Sequence, residues 1–400
     1  MRLSHTFTRT RKQAPADEVA HNAQLLIRAG YVHKTMAGVY SYTPLGLAVL
    51  ENIKQIVREE MNRISSQELL MSTLQRQELW QETGRWSDEL VDVWFKSHLQ
   101  DGTEVGFGWT HEEPIIELLR SYLKSYKDLP ISVYQFQNKL RNELRAKSGI
   151  MRGREFIMKD MYSIHASKED LGAYYQAVIE AYKRCYHRFG LGDDTYVTFA
   201  SGGAFTKFSH EFQTICEAGE DDIFIVPSTN VAYNAEVAPV RATPNPDAGA
   251  AMKPLGMLDD ENIIGAEALT KVLDIPRTAS TKSMLYDSPD GMLLAVVRSD
   301  YEINEDKLKA VANVPWLRLA DGEQIKATTG AKLGFAGLYN LPENVRLFVD
   351  DSCEDMVNFE TGANKTGQHA YNANWGRDIP RPSEFVEIKL AKEGDISPET

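Results

Sequence analysis

Between Tyr134 and Tyr162 the chain carries Arg141, Glu143, Arg152, Phe156 and Asp160, side chains whose types and spacing suit phosphate and base recognition. Alternate residues of a strand share a face. If residues 131–144 and 154–165 are extended and pair antiparallel across the polar turn 145–153, two arginines, a carboxylate and an aromatic ring gather on one surface. Guanidinium groups grip phosphate oxygens, a carboxylate accepts the amino protons of adenine, and a ring stacks on the base. That set is what a nucleoside triphosphate needs. The same residue types also build an exposed hairpin laced with ion pairs, and spacing alone leaves both readings open.

The surrounding elements follow from periodicity. Val49, Leu50, Ile53, Val57, Met61 and Ile64 recur at three- and four-residue spacing behind Pro44, which predicts a helix from Pro44 to about Ile64. A strand is expected over 67–74 and a second helix over 113–126. Ser167 with Asp170 three places on predicts the start of a helix over 169–189 that stops at Gly190. The composition changes near residue 237, and 240–250 reads as a linker. Beyond it, strand signals at 283–286 and 292–298 alternate with a helical one at 305–313, describing a compact module that ends near Arg377. Residues 383–400 hold one more strand signal. The chain reads as α+β, one domain interrupted by another.

Composition sets the outer limits. At 42% apolar and 25% charged residues the chain is that of a globular protein, not a disordered or collagen-like one. Apolar runs such as 223–227 and 292–297 fall far short of the roughly 20 residues of a membrane span. The basic amino terminus is followed by no apolar segment, which argues against a secretory signal. Cys185, Cys216 and Cys353 are widely separated and form no CxxC pair, so a reducing cytoplasm and no structural metal are expected. The net charge of −13 is unevenly spread: residues 1–220 hold 27 basic against 28 acidic side chains, whereas 221–400 hold 17 against 29. Two modules with different partners are implied, and the first is the better candidate for a polyanion.

The segment LRNELRAKSGIMRGREFIMKD (140–160) resembles motif 2 of class II aminoacyl-tRNA synthetases, in the version found in bacterial prolyl enzymes. Residues 44–74 are similar to motif 1, the dimer-interface helix and strand. WTHEE (109–113) resembles the Thr-x-Glu loop that holds the proline nitrogen. SHEF (209–212) with GEDD (219–222) matches the segment before the family's insertion, and HAYNANWGRD (369–378) the end of that insertion. The resemblance implies a class II antiparallel sheet flanked by helices, with residues 1–224 as the first part of the catalytic core. Residues 225–385 would be a smaller α+β editing domain, and 386–400 a return towards the core.

It also implies roles and partners. Arg141 would hold the ATP α-phosphate, Glu143 the adenine edge, Arg152 the β- and γ-phosphates, and Phe156 would stack on the base. Arg141 and Glu143 would be the catalytic pair. Thr110, Glu112 and His210 would bind proline, although Thr110 and Glu112 also read as a plain helix cap and His210 as a structural histidine. Mg2+ would bridge the phosphates, with no metal held by the protein itself. A proline pocket cannot exclude the smaller alanine, since each missing methylene costs only about 1–3 kcal/mol, so a hydrolytic site for Ala-tRNA(Pro) is expected. Lys282, in TASTKSML (278–285), Asp350 and His369 fall at its positions. Without the family they read as a solvated lysine, a turn former and a loop histidine. Expected partners are tRNA(Pro), proline and a second copy through 44–74.

The chain departs from the family's pattern at several places. Ser72 follows Met71 where a proline is usual, Trp109 precedes Thr110, the motif 2 turn reads Arg145-Ala146-Lys147, residues 200–208 differ from the usual version, and Gly337 is followed by Leu338. No Gly-x-Gly-x-x-Arg motif 3 and no anticodon-binding domain is found, so the sequence is expected to be the first part of a longer or split enzyme, with a second chain as one possible source of the remainder. A stand-alone Ala-tRNA(Pro) deacylase and a non-catalytic synthetase paralogue are the alternatives.

Overall fold

The computed structural model describes residues 2–144, 148–200, 209–217, 219 and 221–398. The architecture is α+β, with eight α-helices among the described residues and mostly antiparallel sheets. Two compact units divide after Asp193: Met1–Asp193 and Asp194–Thr400.

In the first unit the helix Pro44–Arg63 carries proline in its first turn, where the missing N–H costs nothing. Its start lies so close to the preceding chain that a Cβ on Gly46 would sit 2.0 Å from the Tyr31 carbonyl oxygen. Val57, Met61 and Ile64 pack with Tyr134 and Ala181, whereas Leu47, Val49 and Ile53 of the same helix face outward. The helix Lys168–Arg188 begins where Asp170 N donates to Ser167 Oγ, as expected, and packs against the first helix. Between them Glu60, 1% exposed, accepts from Arg184 Nε at 2.7 Å and Arg188 Nη1 at 2.9 Å.

The strand expected over 67–74 is only partly one. Gln67–Glu68 pairs in parallel with Ile131–Leu140, and Leu74–Arg76 belongs to another sheet with Glu104–Phe107 and Lys96–His98. Each ladder runs one bond further, from Leu69 N to Tyr134 O and from Gly108 N to Thr73 O, both at 2.8 Å, and side-chain amides hold Met71 between them: Met71 N donates to Gln135 Oε1 at 3.0 Å and Gln137 Nε2 donates to Met71 O. The second helix is Glu112–Tyr122, ending four residues earlier than its periodicity suggests.

The second unit contains a four-stranded sheet in the order Ser209–Thr214, Thr195–Ala200, Val231–Asn234, Ile223–Val226. A second four-stranded sheet orders Arg318–Leu319, Thr281–Asp287, Leu293–Arg298 and Arg346–Val349. Its strand Leu293–Arg298 is buried along its whole length, because Leu294 and Val296 enter one core and Leu293, Ala295 and Val297 another. Covered faces on both sides explain the unbroken apolar run. A three-stranded sheet joins Gly256–Asp259, Gln368–Ala373 and Phe359–Gly362.

Residues 240–250 are not a free linker. Arg241 bridges to Ile396, and the 4%-exposed Asn245 donates from Nδ2 to Thr278 O at 3.0 Å. The last strand signal is spent on isolated bridges within this unit: Val386 pairs with Asp350 and Lys389 with Ile303, while Ile388 is fully buried.

Candidate functional site

The residues expected to bind a nucleotide stand on, or next to, a hairpin of the first unit. Ile131–Leu140 and Glu155–Ile164 pair antiparallel over their full length, which sets Gln135 opposite Asp160 and Lys139 opposite Phe156 on one face. Arg141 N donates to Arg154 O at 2.8 Å and carries the ladder one step further. The Arg141 guanidinium lies over the Phe156 ring at 5.4 Å, and its Nε donates to Trp109 O at 3.2 Å. Arginine and ring are therefore brought together as the strand parity requires.

Glu143 follows a different geometry. The strand stops at Leu140, and Glu143 N donates to Arg141 O at 2.8 Å, the two-residue closure of a γ-turn about Asn142. Alternation cannot be carried across that bend, so it does not place Glu143 on the face of Arg141. Arg152 is exposed and precedes the strand. The turn residues Arg145, Ala146 and Lys147 lie outside the described residues, as do 201–208.

The Thr-x-Glu segment is more than a helix cap. Thr110, 5% exposed, donates from Oγ1 to Glu112 Oε2, so its hydroxyl is turned to a carboxylate and not to the backbone of the helix start. His111 between them is fully buried. Its Nε2 lies 3.1 Å from Ser72 O and must donate there, so Nδ1 accepts from Lys139 Nζ at 2.5 Å. Burial, and then the Lys139 charge, hold the His111 pKa below its ordinary value. Burial also lowers that of Lys139, against the pull of Asp160.

Asp160 Oδ2 takes three donors: Gln135 Nε2 at 2.8 Å, Lys139 Nζ at 3.0 Å and Tyr162 OH at 2.7 Å. Its Oδ1 is buried without a hydrogen-bond partner. The network joins the loop, the motif 1 end and both hairpin strands. Sequence reading placed Asp160 on the right face but missed Lys139 and His111; the parity of Lys139 with Arg141 was the available signal. Trp109 packs among Trp80 and Trp94, with ring centroids 5.6 and 5.7 Å apart, which accounts for tryptophan at that position.

The other proposed residues belong to the second unit. His210 stands opposite Phe199, ring against ring at 4.6 Å. A cavity of about 600 Å³ is lined by Lys282, Ser283, Gly334, Ala336, Glu360 and His369, among others. Lys282 turns its ammonium to Glu302. Asp350 does not line this cavity. It is fully buried, accepts from Ser352 N at 2.9 Å and Ile388 N at 2.7 Å, and lies 3.7 Å from Lys389, tying the returning chain to the strand Arg346–Val349. The structure thus brings Lys282 and His369 together and leaves Asp350 with a structural task. Leu338 is buried in the core, its N–H donating to Thr361 Oγ1 at 3.1 Å, and a Cβ on Gly337 would sit 2.4 Å from Gly362 N.

Among the described residues no group of three or more His, Cys, Asp and Glu side chains is arranged to hold a metal ion. No helix among them is long and apolar enough to cross a membrane. Residues 94–360 match the tRNA synthetase class II core domain (G, H, P, S and T). The whole chain is 40% identical over 404 residues to the proline–tRNA ligase of Bacillus subtilis (strain 168), and 39% identical over 403 residues to that of Listeria monocytogenes serotype 4b. In both cases it spans 70% of the relative's length.

Proposed function

The chain belongs to the proline–tRNA ligase family of class II aminoacyl-tRNA synthetases, and from that premise we propose how its residues divide the work. It is an aminoacyl-tRNA ligase: it activates proline with ATP and transfers it to tRNA(Pro). A proline carboxylate oxygen bonds to the α-phosphorus as the bond to the β-phosphate oxygen breaks and pyrophosphate leaves. A terminal tRNA hydroxyl then attacks the prolyl carbonyl and AMP leaves. No protein nucleophile is required; positioning and charge neutralisation suffice.

In our reading Arg141 holds the α-phosphate and neutralises charge as the phosphoryl group transfers, while Phe156 stacks on adenine. The guanidinium poised over that ring is the observation that carries the assignment. Glu143 is proposed for the adenine edge and Arg152 for the outer phosphates. Thr110 and Glu112 would take the proline nitrogen. Mg2+ would accompany the nucleotide, held by its phosphates, and would supply charge neutralisation there. Proline-dependent ATP–pyrophosphate exchange is the test. Loss of exchange in Arg141→Ala supports the assignment, and exchange equal to the parent overturns it.

We further propose that 225–385 is an inserted deacylase and that the 600 Å³ cavity receives the alanyl end of Ala-tRNA(Pro). Water would bond to the ester carbonyl carbon, the ester C–O bond would break, and the ribose oxygen would leave with a proton. Lys282 and His369 line the cavity and support this reading. Asp350 would contribute only by bracing the fold. Dimerisation through 44–74 is supported by the outward apolar residues Leu47, Val49 and Ile53. A cytoplasmic location, where tRNA is charged, completes the proposal. The relatives are named as ligases, which disfavours a stand-alone deacylase or a non-catalytic paralogue as the function of the chain.

A further inference from the structure

The cavity of the second unit contains a hydrogen-bond chain that none of the motifs announces. Glu360, 1% exposed, stands on the strand Phe359–Gly362. Its Oε2 accepts from Ser280 Oγ at 2.7 Å, and its Oε1 lies 2.9 Å from His369 Nδ1. His369, 2% exposed, leans on the Phe335 ring at 5.2 Å. Its Nε2 is buried without a partner, as is Ser283 Oγ, and both residues line the cavity.

A buried polar atom left unpaired is costly and calls for an explanation. Here both orphans border the same space. A neutral imidazole has one donor and one acceptor nitrogen, and the partner of one decides the role of the other. A carboxylate already holding a serine hydroxyl can only accept, so Nδ1 must carry the proton. Nε2 is then left as a bare lone pair.

We propose that Glu360 is a positioning residue that fixes His369 in its Nδ1–H form, so that Nε2 presents a hydrogen-bond acceptor to the aminoacyl-ribose end bound in the cavity. Ammonium and ribose hydroxyl groups are the donors such an end supplies. Ser280 secures the far oxygen of Glu360 and keeps the carboxylate from rotating away. The inference rests on the deacylase reading for the identity of the ligand, but not for the ring's protonation.

The chain has nine histidines, so 15N-histidine labelling of the intact protein, with His369→Asn to identify the signal, makes the ring observable. At about pH 8.5, above the ordinary histidine value, the expected spectrum shows a protonated Nδ1 and a bare Nε2. Glu360→Met keeps the volume and removes the acceptor. It should shift the ring towards Nε2–H and lower Ala-tRNA(Pro) hydrolysis about tenfold or more, the scale of one lost hydrogen bond.

A wild-type ring protonated on Nε2 overturns the proposal, whether or not the variant folds. So does a folded Glu360→Met whose ring stays Nδ1–H, or whose hydrolysis stays within about twofold of an active parent. If the parent hydrolyses no Ala-tRNA(Pro), the deacylase reading fails, and the spectrum alone then supports or overturns the role of Glu360.

Discussion

At the scale of single residues, the proposed nucleotide site depends on charges held in place beforehand. Arg141 is braced by the Trp109 carbonyl and by a stacked ring, so its guanidinium is already oriented when substrate arrives. Removing one such preorganised donor costs about 10²–10³ in rate. Arg141→Ala should lower proline-dependent pyrophosphate exchange by that much, with Ala-tRNA(Pro) hydrolysis measured on the same sample to distinguish misfolding. Lys139 makes a different kind of contribution. It is fully buried between His111 and Asp160, and Lys139→Met would leave that carboxylate without its cation. Breaking a buried pair in this way costs about 3–5 kcal/mol, which a urea melt would read as a lower midpoint; an unchanged midpoint would show that the pair contributes little.

Elements are joined by a few buried polar contacts and by unevenly covered faces. Glu60 clamps Pro44–Arg63 to Lys168–Arg188, and burial, which raises its pKa, is outweighed by hydrogen bonds from Arg184 and Arg188 that lower it. A carboxylate with a depressed folded value binds fewer protons than it does unfolded. Its stabilisation is therefore present above the ordinary glutamate value and is lost as pH falls through the folded one. Glu60→Ala should destabilise by about 1–3 kcal/mol at neutral pH, and the gap from the parent should shrink in acid melts. A gap constant down to about pH 3 would count against the linkage. On an outward face of the same helix, Ile53 is 42% exposed one turn on from the exposed Val49. If this face covers a second copy, Ile53→Asp should shift sedimentation from dimer towards monomer, and an unchanged dimer would move the interface elsewhere.

For the molecule as a whole, the proposal gives two compact units different chemistry. The Arg141 hairpin lies within the first, whereas Lys282, Glu360 and His369 line a cavity within the second. Activation and hydrolysis should therefore be separable by mutation. Arg141→Ala is expected to spare hydrolysis and Glu360→Met to impair it. Loss of both activities in a well-folded Arg141→Ala protein would show that the sites are coupled. The acidic balance lies beyond residue 220, so any purely electrostatic attraction of tRNA falls to the nearly neutral part before it.

Local order along the chain was legible without coordinates. Helix periodicity located Pro44–Arg63 and Lys168–Arg188 to within a residue, and strand parity put Phe156 and Asp160 on one face, because both patterns are properties of neighbouring residues. Motif order along the chain identified the family for the same reason. Three outcomes depended on contacts between distant segments. Met71, between two sheets, is held by the amides of Gln135 and Gln137, Asp350 was withdrawn from the cavity to bind the N–H of Ile388, and Glu360 was brought onto His369 by the pairing of Phe359–Gly362 with Gln368–Ala373. Hydrogen bonds of that kind are chosen when sheets pack and buried polar groups must find partners, so only the tertiary structure decided them.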